Sequence, residues 1–209
     1  MKVIKEACVE SYAEAKRAAE LGADRVELCD NLAIGGTTPS YGTIKLAKGL
    51  DLEVFPIIRP RGGGFVYTEA ELQIMEADLD ACREIGVDGV VFGVLTEDNQ
   101  IDVPVMKRLM ARCGNLQVAF HLAFEQTPDT KKALDILADL GVIRTLTNGS
   151  RDRSSALDNQ AAIRTLVEYS AGRVILLPAI GVTKDNYEEL VKNTGVTEVH
   201  GTKIVGDLT

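Results

Sequence analysis

The feature that most constrains this 209-residue chain is a period. A short β-branched run, a tight turn and a longer stretch with apolar residues at helical spacing recur from end to end, with no break in composition between them. The segments with strand character are 3–7, 25–28, 53–58, 89–92, 117–120, 143–147, 173–177 and 197–200, eight in all. Seven amphipathic stretches lie between them, near 11–21, 39–48, 68–85, 102–113, 129–140, 157–170 and 184–193. Three of these end on nearly the same phrase, Glu20-Leu21-Gly22-Ala23-Asp24, Glu84-Ile85-Gly86-Val87-Asp88 and Asp139-Leu140-Gly141-Val142, where glycine permits the left-handed stop that turns the chain into a strand. Helix starts are expected at Thr38-Pro39, at Thr68 with Glu71 completing a capping box, at Asp102 and at Thr183 before Lys184.

Strands alternating with helices through short connections imply a parallel α/β fold, and eight such units favour a TIM-type (β/α) barrel over an open doubly wound sheet. The open sheet is further disfavoured because no dinucleotide-type glycine spacing follows the first strand. Residues 1–209 are expected to form one domain. Only nine residues follow His200, so the eighth helix is missing or very short. That side of the barrel is expected to be covered by the tail or by a second copy in a homo-oligomer.

A net charge of -8 argues against a nucleic-acid or anionic-membrane partner. No apolar run approaches membrane-spanning length and the start lacks signal-peptide zones, which suggests a cytoplasmic protein. Cys8, Cys29, Cys82 and Cys113 are scattered rather than paired in a framework, so reduced thiols are expected. No zinc-type cysteine pair, P-loop, Gly-x-Ser-x-Gly elbow, His-Glu-x-x-His motif or nucleotide-cofactor fingerprint is present.

In a parallel α/β fold the ligand site lies beyond the carboxyl ends of the strands. The polar residues there are Glu6 and Cys8, Glu27, Cys29 and Asp30, Arg59 and Arg61, His121 and Glu125, Thr147 and Asn148, and His200 and Lys203. Alternation puts Glu6 with Cys8 on one face and Glu27 with Cys29 on one face of the next strand. If both glutamates face inward, Arg59 is expected to neutralise them, either as a plain buried ionic layer or as part of a working site. Arg59-Pro60-Arg61-Gly62-Gly63-Gly64 joins two guanidinium groups to backbone that a carboxylate or phosphate can approach, although such loops also serve as lids. Histidine at two strand ends suits proton transfer. On neighbouring strands the Cys8 and Cys29 sulfurs could meet, which suits a soft ion such as Cu(I), or they could be small apolar filler. Cys82 and Cys113 fall within helices and read as structural.

Seven segments, ADRVELCDN at 23–31, GGTTPS at 35–40, IIRPRGG at 57–63, GVLTEDNQID at 93–102, FHLAFE at 120–125, LTNG at 146–149 and EVHGTK at 198–203, resemble the CutC copper-homeostasis family over almost the whole chain. The resemblance implies a cytosolic TIM-type barrel with an incomplete set of helices, associated with copper and without an agreed reaction. It carries over to Glu6, Cys8, Glu27, Cys29, Arg59, Arg61, His121, Thr147, His200 and Lys203. The sequence departs from the family pattern at Leu122, at Glu125 and at Pro178-Ala179-Ile180, the last of which argues against a phosphate cradle after strand seven. Two functions follow as expectations. One is Cu(I) binding at Cys8 and Cys29, with or without the aid of a histidine. The other is a lyase or isomerase acting on a small anion held by Glu6, Arg59, Arg61, Thr147, His200 and Lys203, with Glu27 and His121 as proton-transfer groups. A barrel with no catalytic role is a third possibility.

Overall fold

Short runs rich in valine, isoleucine and leucine form the strands, and all eight run parallel. A computed structural model describes residues 2–208. Its elements alternate as β1 (Ile4–Val9), α1 (Tyr12–Glu20), β2 (Arg25–Leu28), α2 (Tyr41–Ala47), β3 (Glu53–Pro56), α3 (Glu69–Ile85), β4 (Gly89–Phe92), α4 (Val103–Cys113), β5 (Gln117–Phe120), α5 (Thr130–Leu140), β6 (Arg144–Thr147), α6 (Gln160–Ser170), β7 (Ile175–Pro178), α7 (Tyr187–Thr194) and β8 (Glu198–Gly201). Two short 3-10 turns, Leu32–Ile34 and Leu122–Gln126, follow β2 and β5.

The eight strands follow one another around a ring, the arrangement of a TIM-type barrel. Continuous ladders join them in two groups of four, β3-β2-β1-β8 and β4-β5-β6-β7. The groups meet along two seams. At β3/β4 a single parallel bridge links Ile57 to Val91. At β7/β8 the bridge lies beyond the strands, between Thr183 and Lys203.

Local signals explain most boundaries. The Thr68–Glu71 capping box opens α3, and the Asp102 carboxylate accepts the Val105 N–H to open α4. Gly86 and Gly141 stop α3 and α5 with φ of 77° and 81°. Two expected starts are corrected. Ser40 rather than Thr38-Pro39 caps α2, because the Thr38 hydroxyl accepts the Arg59 N–H at 2.9 Å. Asn186 precedes α7, because Thr183 and Lys184 are taken up in the bridge to Lys203.

Helix residues such as Ala15, Met75, Leu79, Leu109 and Leu137 pack against the outer face of the strands. A separate inner cluster, including Phe55, Ile57, Val91, Ala119 and Leu177, fills the barrel. Phe55 explains the glycine that opens β4: a Cβ on Gly89 would lie 2.1 Å from the Phe55 ring and 2.6 Å from the Gln117 carbonyl oxygen. No α-helix follows β8 among the described residues. The tail covers that side: Ile204 is buried, Val205 and Leu208 pack against the outer core, and Gly206 lies beside Leu21 of the α1 end.

Candidate functional site

Alternation along β1, β2 and β8 aims Glu6, Cys8, Arg25, Glu27, Cys29, Glu198 and His200 into the barrel, and the register brings them together. Glu6 pairs across to Arg25 on one side and to His200 on the other, and Cys8 pairs to Glu27. At the bottom of the barrel Arg25 donates to Glu6 and to Glu198, and Arg144 donates to Glu198 at 3.1 Å and to Gln117 at 3.1 Å. Both guanidinium groups lie over the Phe55 ring, 5.2 and 5.0 Å from its centre. This ionic layer corrects the expectation that Arg59 neutralises Glu6 and Glu27. Arg25 does so for Glu6, because it stands on the adjacent strand in register, whereas Arg59 lies beyond the end of β3. The missed signal was local: Arg25 shares the inward face of Glu27, two residues on, as Glu198 shares that of His200.

A chain of contacts rises from this layer. The second oxygen of Glu6 meets His200 Nδ1 at 2.7 Å, and His200 Nε2 lies 3.6 Å from Glu27 and close to Cys8. Burial alone would raise the Glu6 pKa, but Arg25 and His200 overcome it and hold the carboxyl at about 2. Burial opposes charge on His200 too. Cys8, Glu6 and Glu27 outweigh it and keep the imidazolium. The adjacent Cys29 thiol and His200 bring the Cys8 thiol well below its ordinary range against the cost of burial. The Cys29 thiol is pushed up by the neighbouring Cys8 and by burial. Burial, then the Cys8 thiolate, raises Glu27 well above an ordinary glutamate. Two sulfurs and a carboxyl whose proton affinities are pulled apart by one another therefore share a small space, and their donor atoms lie within 4.8 Å of one another.

These three residues form part of the floor of a cavity of about 580 Å³ at the carboxyl ends of the strands, a volume typical of small-molecule sites. Arg59, His121, His200 and Lys203 also line it. Arg59 is 4% exposed and donates to the carbonyls of Ile34 (3.2 Å), Gly36 (2.7 Å) and Gly63 (2.7 Å). His121 is buried, and its Nδ1 accepts the Ala123 N–H at 3.2 Å. Burial, reinforced by Arg59, lowers its pKa to about 3, so the ring is neutral. Arg61 and Thr147 lie outside the cavity wall. Arg61 is occupied by Glu71 and by the carbonyls of Gly62, Gly64 and Val66. Thr147 donates to Glu125, whose same oxygen accepts the N–H groups of Asn148 (2.8 Å) and Gly149 (2.9 Å), so Glu125 fastens the loop after β5 to the loop after β6. Leu122 packs against the inner cluster. Ile180 lines the cavity with φ of +69°, a left-handed conformation that a β-branched residue adopts only under constraint.

A ring of eight parallel strands wrapped by helices, with a polar cavity at the strand carboxyl ends, defines the class as a TIM-type barrel. The profile of the CutC family matches residues 3–205. The chain belongs to that family. It is 42% identical over 209 residues to a family protein CutC of Enterococcus faecalis, covering 97% of this chain and 100% of that one. It is 43% identical over 196 residues to the human copper homeostasis protein cutC homolog, covering 93% and 71%. The crystal structure of the putative copper homeostasis protein CutC of Streptococcus agalactiae superposes with a TM-score of 0.93 at 41% identity, covering 97% of this chain and 99% of that one.

Proposed function

We propose that this chain binds Cu(I) as cargo through the Cys8 and Cys29 sulfurs and serves copper homeostasis in the cytoplasm. The observation that carries the reading is the convergence of both sulfurs and a Glu27 oxygen within 4.8 Å at the cavity floor. Thiolates are the ligands that a soft monovalent ion prefers. Cys8 is already ionised and Cys29 gives up one proton on binding, so affinity rises with pH. His200 is anchored through Nδ1 to Glu6 at 2.7 Å, and its Nε2 edge lies beside Glu27, next to the sulfurs. It places a positive charge beside the sulfurs and offsets the charge of the second thiolate. The human relative's name, a copper homeostasis protein, agrees with this reading. No helix among the described residues is long and apolar enough to cross a membrane.

Titration of the reduced protein with Cu(I) against a competing chelator tests it. One ion per chain is expected, and Cys8→Ser or Cys29→Ser should each weaken binding by about 100-fold or more, at least the upper range for losing a mere outer-shell partner. Unchanged stoichiometry and affinity in both variants would remove the proposal.

A further inference from the structure

The thiol cluster accounts for one part of the cavity and leaves its other wall unexplained. Arg59 and His121, 4% and 5% exposed, both line that wall, and each has a buried nitrogen with no hydrogen-bond partner, Nε of Arg59 and Nε2 of His121. Because His121 Nδ1 accepts the Ala123 N–H, the neutral ring carries its proton on Nε2. The unpartnered atom is therefore a donor. Arg59 spends its other hydrogen bonds on backbone carbonyls and meets no carboxylate within salt-bridge distance among the described residues. The Phe65 ring contacts both side chains, with its centre 5.3 Å from the Arg59 guanidinium carbon and 4.8 Å from the His121 ring centre.

A buried cation without a counter-charge and a buried donor without an acceptor are both costly unless something completes them. Both side chains line the same cavity, and an oxyanion held there would supply the counter-charge that Arg59 lacks and an acceptor for His121. We infer that the cavity holds an organic carboxylate, its carboxylate taken by Arg59 and His121 and its apolar body lying against Phe65, Leu146 and Ile180, at a subsite separate from the two cysteines.

A carboxylate fits better than a phosphate for two reasons on the same wall. His121 is a neutral donor, and the other cation on the cavity floor, His200, is already paired with Glu6, so Arg59 is the buried cation left without a carboxylate, which suits a singly charged group. The turn after β7 presents the branched Ile180 side chain, at φ of +69°, where a cradle of backbone N–H groups would need an open approach. The fold thus supplies orientation for one planar anionic group with an apolar body.

Isothermal titration and thermal-shift measurements on the whole metal-free protein test the inference, with benzoate, neutral benzamide and inorganic phosphate as probes. Benzoate should bind saturably and at least tenfold more tightly than either of the others. His121→Phe and Arg59→Met should each weaken benzoate by tenfold or more, while Cys8→Ser/Cys29→Ser should leave it within twofold. Should Arg59→Met fail to fold because three loop carbonyls lose their donor, His121→Phe and the benzoate-to-benzamide ratio in the parent protein decide the matter. The inference is overturned by no saturable benzoate binding, by benzamide or phosphate binding as tightly as benzoate, or by full affinity in His121→Phe. Loss of benzoate binding in the cysteine variant would place the anion at the thiol cluster and overturn the separate subsite. Copper affinity plays no part in these outcomes, so the two proposals fail independently.

Discussion

Replacing Glu6 with glutamine keeps the shape of the side chain and removes its charge, and the structure fixes how much that should cost. Glu6 is fully buried between Arg25 and His200, and these partners hold its pKa at about 2 against an ordinary 4.5. At about 1.36 kcal/mol per pH unit, that interval is worth about 3 kcal/mol at pH 7. The figure agrees with the roughly 3–5 kcal/mol lost when one partner of a buried ion pair is removed. For a chain of this size it lowers Tm by about 6–12 °C. The pH dependence has a definite sign. Over the interval between the folded and unfolded pKa values the folded state binds fewer protons at Glu6, so the stabilisation is complete above about pH 5. It is lost as pH falls through 4.5 toward 2, and the gap between parent and Glu6→Gln must narrow over that window. His200 acts oppositely. Its raised pKa stabilises the fold below 6.5, and that contribution disappears as pH rises through the folded value. Urea unfolding of both proteins at pH 7, 5, 4 and 3 measures the gap directly. A cost below about 1 kcal/mol at pH 7, or a gap that stays constant from pH 5 to pH 3, would refute the claim that Arg25 and His200 keep Glu6 ionised.

Two further outcomes follow from the same geometry. In the metal-free protein iodoacetamide should label Cys8 at a lower pH than Cys82 and Cys113, because its partners pull the Cys8 thiol down while burial pushes the other two up to about 12; peptide mass spectrometry reads the order, and a reversed order contradicts it. Gly89→Ala should cost about 1–3 kcal/mol or more by urea unfolding, because its Cβ would overlap Phe55, and Phe55→Leu in the same chain should recover part of the loss; additive costs would show that the two positions do not compete for space.

The strand–helix period was legible in the sequence because each unit carries its own boundaries, such as the Thr68–Glu71 box and the glycines at 86 and 141. Placing Glu6, Cys8, Glu27, Cys29 and His200 in one group needed only alternation and the rule that parallel α/β sites lie at strand ends. Charge pairing was legible only in part: alternation places Arg25 on the inward face of Glu27, but its partners depend on register between strands, and Arg25 reaches Glu198 across 173 positions. Arg59 misled for the same reason, since nothing local shows that its guanidinium turns to the carbonyls of Ile34, Gly36 and Gly63. The two mistaken helix starts, at Thr38 and Thr183, are residues with a real capping chemistry that tertiary partners claim first.

The division of the barrel into two ladders of four strands has a geometric consequence. Glu6, Cys8, Glu27, Cys29 and His200 all belong to the β3-β2-β1-β8 half or its immediate extension, whereas His121, Leu146 and Ile180 extend from the other. The halves are joined at the two junctions by isolated bridges and, beneath the cavity, by the Arg144–Glu198 ion pair. Both sulfurs hang from the β1–β2 pair, so their spacing is set within one continuous ladder, whereas the far side of the cavity is set by the other.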